Sequence, residues 1–360
     1  MYLKTLYLHN FRLYEEAYFH FSPGINVIKG PNAQGKTSLI EAIYLLITGR
    51  SFRTSQTKDL IKNGATHFYL EATFVKHEIE QKLRLYYSPT ERSVNYNSTA
   101  SPSLSSVLGI LQGVIIHPDD SAIVKGAPMI RRHLLDIQLA QTDPLYIHHL
   151  TRYDRAMRQR NHLLRAKSSA AIDSWEYEMG NAAAFIVQQR ALTIEALNIQ
   201  GQEHYRTICN GTETLQLSYK ANGAGDHSLE NLNILRDLYR NQYRRHRSRE
   251  MDLGSTLTGP HKDDILITLN ENDARTFASE GQQRSCVTAL RLAEWSRLKD
   301  LSHEPPLMLI DDLGMSLDSS RKKQLIGHFK NLKQVFVSTT EESILVENEH
   351  SISVKDHLLL

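Results

Sequence analysis

The sequence predicts an α/β chain built as a head with a mixed sheet, split along the chain by a mainly helical arm. Three observations carry this prediction. A glycine-rich turn at 30–37 joins an apolar, strand-like run to a helix-like one, a second apolar run ends in paired aspartates at 311–312, and long stretches with helical seams lie between. At 360 residues the chain has room for about two or three domains. The expected division is 1–116 for the first part of the head, 117–250 for the arm and 251–360 for the second part of the head.

The elements follow in order. "YLKTLYLHNF" alternates as a strand with one buried face does, and "INVIKG" is a short apolar run feeding the glycine turn. Beyond Lys36, the residues Leu39, Ala42, Ile43 and Leu46 predict a helix with one buried stripe. "FYLEATFV" and "IEQKLRLYY" read as antiparallel strands, and the serine-rich "NSTASPSLSS" after them reads as a polar loop. The pattern changes near Pro118. Tyr146, Leu150, Tyr153 and Met157 form one helical seam, and Trp175, Met179, Ala182 and Ile186 form another beyond a break at "AKSSA", which together predict an antiparallel helical hairpin. After the looser "KANGAGDHS", strand alternation returns in "DILITL", a turn follows at "NEND", and a helix carries Cys286, Ala289, Leu290 and Ala293. "PPLMLIDD" and "QVFVSTTE" are apolar runs ending in polar residues, as buried parallel strands with functional C-terminal ends do.

Charge and cysteine content narrow the function classes. The chain has 42 basic against 40 acidic residues, so bulk charge announces no nucleic-acid partner and a local basic patch has to be sought instead. Cys209 and Cys286 lie far apart with no C-x-x-C pairing, which indicates neither a disulfide framework nor a zinc site and favours a reducing compartment. The N-terminus lacks the build of a secretory signal, and no apolar run approaches the roughly eighteen residues needed to cross a bilayer; a cytoplasmic location with no membrane partner is expected.

"GPNAQGKT" fits the G-x-x-x-x-G-K-[ST] pattern of a phosphate-binding loop, with a strand before it and a helix after it. Along Gly30, Pro31, Asn32, Ala33, Gln34 and Gly35 the backbone N–H groups can curl around phosphate oxygens, and the helix start at Lys36, Thr37 and Ser38 adds partial positive charge. Lys36 is expected to reach the β and γ phosphates of ATP as a catalytic cation, and Thr37 to ligate Mg2+. "LMLIDD" supplies the other half, directing Asp311 at the magnesium ion and the catalytic Asp312 at the attacking water. In "ASEGQQRS", 278–285, Ser279 stands 32 residues before Asp311 at the start of a helix. A hydroxyl and backbone donors at a second helix N-terminus suit an anion, and an N-cap serine at a hairpin exit gives the same pattern.

The ordered set "GPNAQGKTSLIEAI", "HPDDSAIVKGAPMIRRHLLD", "RYDRAMRQRN", "TGPHKDD", "DARTFASEGQQRS" and "LIDDLGMSLDSSR" resembles the RecF family along nearly the whole chain. These are bacterial recombination mediators of the ABC-type ATPase superfamily, related to structural-maintenance-of-chromosomes heads. The resemblance implies an ABC-type P-loop head in which Ser279, Gly281 and Gln282 form the signature that contacts the γ-phosphate held by a partner head. One P-loop and one signature per chain then require two copies for two complete sites, so ATP would join a homodimer. It also implies a D-loop in "SLDSSR" with Asp318 near the interface, and a phosphate-approaching Arg12 in "NFRLY". The implied role is repair of gapped DNA, with weak, DNA-stimulated ATP hydrolysis as a switch and RecA placed with the help of RecR and RecO. The chain departs from the wider pattern in places. Asp312 stands where many members carry glutamate, and a shorter carboxylate suits slow turnover in a timing switch. Thr340 replaces the usual switch histidine, no glutamine fits the Q-loop position near His117 to Asp120, and Ser316 replaces an acidic residue.

The densest positive run, "RDLYRNQYRRHRSR", places Arg236, Arg240, Arg244 and Arg247 on a helix at 4, 4, 3 spacing. That is a cationic stripe suited to DNA phosphates, and a solvated helical face shares the pattern. The interleaved tyrosines fit stacking on single-stranded bases or packing under the arm. Arg152, Arg155, Arg158, Arg160 and Arg165 offer a second basic surface. With no base-reading motif, binding to double-stranded and gapped DNA is expected to be structure-selective and salt-sensitive. An ABC transporter subunit is the alternative; the 243 residues between Gly35 and Ala278 argue against it. A long coiled-coil chromosome protein is disfavoured by seams of only about four to six turns.

Overall fold

The structure is a computed structural model that describes residues 1–225, 229, 231–312, 327, 329–340, 350–355 and 358–359. It divides into two compact units: Met1–Ser121 with Thr207–Asn210 and Ser279–Leu360, and Ala122–Arg206 with Gly211–Ala278.

The first unit opens with β1 (Tyr2–Phe11), β2 (Tyr14–His20), β3 (Gly24–Lys29), α1 (Lys36–Thr48), β4 (Phe68–Lys76), β5 (Ile79–Tyr87), β6 (Arg92–Tyr96), β7 (Thr99–Ser101) and β8 (Gly113–Ile116). Among the described residues, β2-β1-β4-β5-β6-β7 form one antiparallel sheet. Its strands bury alternate residues such as Leu6, Leu8, Leu70, Leu83 and Leu85, so period 2 sets which face meets the core. The serine-rich segment holds more structure than a loop: β7 pairs with β6, and Leu104 and Val107 bury themselves on a short 3-10 turn. Helix α1 is buried almost all round instead of along one stripe, because it touches β1 on one side and β8, β12 (Leu307–Ile310) and β13 (Gln334–Thr339) on the other.

The second unit contains α2 (Ala122–Lys125), α3 (Pro128–Ala140), α4 (Pro144–Arg165), α5 (Ile172–Ile208), β9 (Leu215–Lys220), α6 (Leu232–Leu253), β10 (Asp264–Leu269), β11 (Asn272–Asp273) and α7 (Ala274–Phe277). The hairpin forms where the seams place it. Asp143 caps α4 by accepting from the Leu145 N–H, Pro144 sits at its first turn, and the chain reverses between Arg165 and Ile172. Tyr146, Tyr153, Met179, Ala182 and Ile186 share one apolar cluster. With 37 residues, α5 runs about ten turns, longer than the seam suggests. Tyr239 and Tyr243 of α6 are fully buried in the same cluster, so the interleaved tyrosines pack as core and are not available to bases. The division expected at 250/251 lies at 278/279. The reason is pairing: β10 joins β9 and β11 in a three-stranded antiparallel sheet, so 251–278 go with the arm.

The chain then returns to the first unit through α8 (Glu280–Ser302), β12, β13, β14 (His350–Lys355) and β15 (Leu358–Leu359). These complete a second sheet of order β15-β14-β3-β13-β12-β8, parallel from β14 to β8. The "SLDSSR" segment with Ser316 and Asp318 lies outside the described residues.

Candidate nucleotide site

Parallel strands deliver their C-terminal ends to one edge, and here three neighbours, β3, β13 and β12, end together. The turn after β3 curls tightly, with Gly30, Ala33 and Gly35 at φ +156, +63 and +104. Glycine is required at both ends. A Cβ on Gly30 would stand 2.2 Å from the Val354 carbonyl oxygen, and one on Gly35 would stand 2.8 Å from the Tyr14 hydroxyl. That hydroxyl donates to the Gly35 carbonyl at 3.1 Å, tying the turn to β2. Lys36 folds back inside the loop and donates to the carbonyls of Gly30 at 2.6 Å and Pro31 at 2.7 Å. Its ammonium is drawn below the usual lysine range by burial, with Asp312 and Asp311 acting the other way. An anion with strong acceptor oxygens can compete for those donors.

Thr37, at the start of α1, donates to Asp311 Oδ1 at 3.0 Å across 274 positions of sequence. Ser338 Oγ donates to the same oxygen at 2.8 Å and accepts from the Asp312 N–H at 2.8 Å. Asp312 sits at φ +60, left-handed, and its Oδ1 is buried without a hydrogen-bond partner. Burial holds the Asp311 carboxyl above the usual aspartate range, helped by Asp312, while the bonds from Ser338 and Thr37 pull it down. A hydroxyl and a carboxylate within 3.0 Å, with a further orphaned carboxylate oxygen beside them, fit a small divalent cation. Mg2+ takes one or two protein oxygens and completes its shell with water and phosphate.

Ser279 is the N-cap of α8. Its hydroxyl accepts from the Gln282 N–H at 3.3 Å while Gln282 Oε1 accepts from the Ser279 N–H at 2.8 Å, a reciprocal capping box. The capping reading of this serine therefore holds in the single chain. Gly281 accepts from the Ser285 hydroxyl at 3.0 Å. Further along α8, partly buried Arg291 reaches Asp120 and Glu294, and Asp120 in turn meets His117 Nε2 at 3.0 Å. Burial raises the Asp120 carboxyl, but Arg291 and His117 outweigh it and hold the group at about 2. "HPDD" thus fills the place where a Q-loop glutamine was missing with a buried ion-pair network. Thr340 is exposed just past β13, and the polar contact to the aspartates comes from Ser338, two positions earlier. Ser338 was missed because a serine near a strand end carries little weight by itself. The useful signal was its place at the end of the buried run next to the aspartate strand.

Arg12 does not reach the loop in this structure. Its guanidinium forks onto fully buried Glu41 of α1 at 2.8 and 2.7 Å and donates to the Asp59 carbonyl. Arg236, Arg240, Arg244 and Arg247 of α6 do not form an open stripe either. Arg240 stacks over the Tyr177 ring at 3.9 Å and donates to Asn181, and Arg247 pairs with Asp173 and Glu176 of α5. Arg236 donates to Asn233 and is half-buried, whereas Arg244 is exposed, as are Arg245 and Arg249. Arg160 is a correction to the hairpin surface. It is fully buried, within 3.0 Å of Glu176 and 2.7 Å of Glu250, and donates to Thr256. Its position seven residues after Tyr153, itself seven after Tyr146, places it on the seam. Arg155 and Arg158 remain exposed, and Arg152 is paired to Glu178.

Comparison with known proteins gives one family. The RecF/RecN/SMC N terminal domain matches residues 2–357. The DNA replication and repair protein RecF of Protochlamydia amoebophila (strain UWE25) is 50% identical over 346 residues, covering 96% of each chain. A solved structure of "the recombination mediator protein RecF-ATPrS in RecFOR pathway" superposes with a TM-score of 0.92 at 30% identity, over 99% of this chain and 97% of that one. Its RecF-ATP counterpart gives 0.92 at 28% identity, over 100% and 97%.

Proposed function

This chain belongs to the RecF/RecN/SMC N-terminal domain family, as a RecF DNA replication and repair protein, and from that premise we propose that it is an ATP-dependent DNA-binding clamp. The observation that carries the proposal is the convergence of the glycine loop, Lys36, Thr37, Asp311 and Asp312 at the ends of three parallel strands. Solved relatives of the same fold are described as RecF-ATPrS and RecF-ATP.

In this reading Lys36 exchanges the carbonyls of Gly30 and Pro31 for the β and γ phosphates of ATP. Thr37 and Asp311 hold Mg2+, which when bound screens phosphate charge and orients the transferred group. Asp312 orients the attacking water, its unpartnered oxygen being the acceptor that water needs. Ser279, Gly281 and Gln282 face the γ-phosphate of a second copy, so ATP closes a homodimer on DNA and slow hydrolysis releases it. Exposed arginines of the arm, Arg244, Arg245 and Arg249 on α6 with Arg155 and Arg158 on α4, contact the phosphates of double-stranded or gapped DNA, with Arg236 at the margin. Tied as they are to α5, Arg240 and Arg247 would contribute by shaping that surface. The partners are RecR, and through it RecO and RecA, in keeping with the pathway named for the solved relatives. No helix among the described residues is long and apolar enough to cross a membrane. A cytoplasmic place beside the chromosome fits such partners.

The test is a mass measurement with and without ATP, on and off gapped DNA. Wild type should double its mass with ATP and retain DNA, and Lys36→Ala should do neither. Unchanged dimerisation and DNA retention in Lys36→Ala would refute the proposal.

A further inference from the structure

The strand order β3-β13-β12 puts the end of β13 between the glycine loop and the aspartates, and Ser338 is the residue that stands there, 1% exposed. Its hydroxyl does two jobs with different parts of one group. The proton goes to Asp311 Oδ1 at 2.8 Å, and a lone pair takes the Asp312 N–H at 2.8 Å. We propose that Ser338 is the positioning residue of the cation site, setting both aspartates through this single hydroxyl; the inference rests on the ATP and Mg2+ reading above.

Both contacts are needed where they stand. Asp312 occupies the left-handed region, which aspartate tolerates but does not prefer, and a fixed acceptor for its N–H holds the backbone there. Asp311 Oδ1 receives two hydroxyl protons, from Thr37 and from Ser338. Thr37 has to turn a lone pair toward a cation when it becomes a ligand, so Ser338 is the partner that can keep Asp311 oriented throughout. Groups of this kind, which touch a ligand and not the metal, typically change metal affinity or activity by about 10–100-fold when removed. Ser338 touches no phosphate-loop atom by any hydrogen bond seen among the described residues, so its loss should leave the loop's own grip on phosphate intact.

The experiment titrates Mg2+ into wild type, Ser338→Ala and Ser338→Thr bound to a fluorescent ATP analogue, and measures analogue affinity in EDTA and the steady-state ATPase rate in parallel. The expected result is an unchanged affinity in EDTA for Ser338→Ala, a Mg2+ half-saturation raised by about tenfold or more, a lower kcat, and recovery of both in Ser338→Thr, which keeps the hydroxyl. A Mg2+ half-saturation and kcat in Ser338→Ala equal to wild type overturn the inference. So does a loss of affinity in EDTA, since that would mark a general packing role. Wild type that binds no analogue in either condition overturns the ATP reading itself, and this inference with it.

Discussion

His261 shows how a single residue of the arm can be read from its partners. Its Nε2 lies 3.1 Å from the Thr256 carbonyl, which can only accept, so Nε2 carries the hydrogen and Nδ1 accepts from the Tyr153 hydroxyl at 2.6 Å. Burial among Lys262, Arg132 and Arg190 pushes the imidazole down to about 4 from its ordinary 6.5. Because the folded value lies below the unfolded one, the unfolded chain takes up the proton first as pH falls. Stability is therefore lost between about 6.5 and 4, with no further loss from this group below that. His261→Gln should flatten that part of the profile in thermal melts taken from pH 7 to pH 4; an unchanged slope would show that another group titrates there. Gly259 sits against the same pair, for a Cβ there would meet the Tyr153 hydroxyl at 2.4 Å. The "TGPHKDD" motif is in this way a packing device for the arm: Gly259 admits the tyrosine, His261 receives its proton, and Asp263 accepts from Arg190, Tyr219 and Asn222.

Helices α4, α5 and α6 are held by charge as well as by apolar seams. Arg160 sits between Glu176 of α5 and Glu250 of α6, and Arg247 returns to Glu176 from the other side. Removing Arg160 leaves fully buried Glu250 without its cation, while Glu176 keeps Arg247, and a buried charge left unpaired costs about 3–5 kcal/mol. Arg160→Ala should lower unfolding free energy by that amount in urea titrations, whereas Arg155→Ala, on the exposed side of α4, should stay within about 0.5 kcal/mol of wild type. Equal effects would mean that the network adds nothing to the bundle. The same contrast separates basic residues that build the arm from those left for a partner. Arg160 and Arg155 belong to one arginine run; the heptad step from Tyr146 and Tyr153 puts Arg160 on the seam, and Glu176 of α5 and Glu250 of α6 supply the charges that its burial needs.

At the scale of the whole molecule, the P-loop and the signature lie on separate stretches of one chain, and Ser279 already has an intrachain task in its capping box. A second copy is where its remaining capacity would be used. Ser279→Arg should leave ATP binding by the monomer close to wild type while preventing the ATP-dependent rise in mass, and a mixture with Lys36→Ala should not restore full dimer activity; a Ser279→Arg protein that still dimerises with ATP would remove the signature from the interface. The sequence by itself determined the α/β head with its inserted arm, the loop at 30–37, the aspartates at 311–312, the hairpin and the helix start at Ser279. Each of these rests on residues close together in the chain, where periodicity, glycine placement and capping chemistry act. Tertiary structure alone decided the rest: that Ser338 joins the two aspartates, that Arg12 serves Glu41, that Glu176 and Glu250 are the partners of Arg160, and that β10 takes 251–278 into the arm. Those outcomes depend on which strands and helices become neighbours, and contacts across tens to hundreds of positions leave no periodic trace in a single sequence.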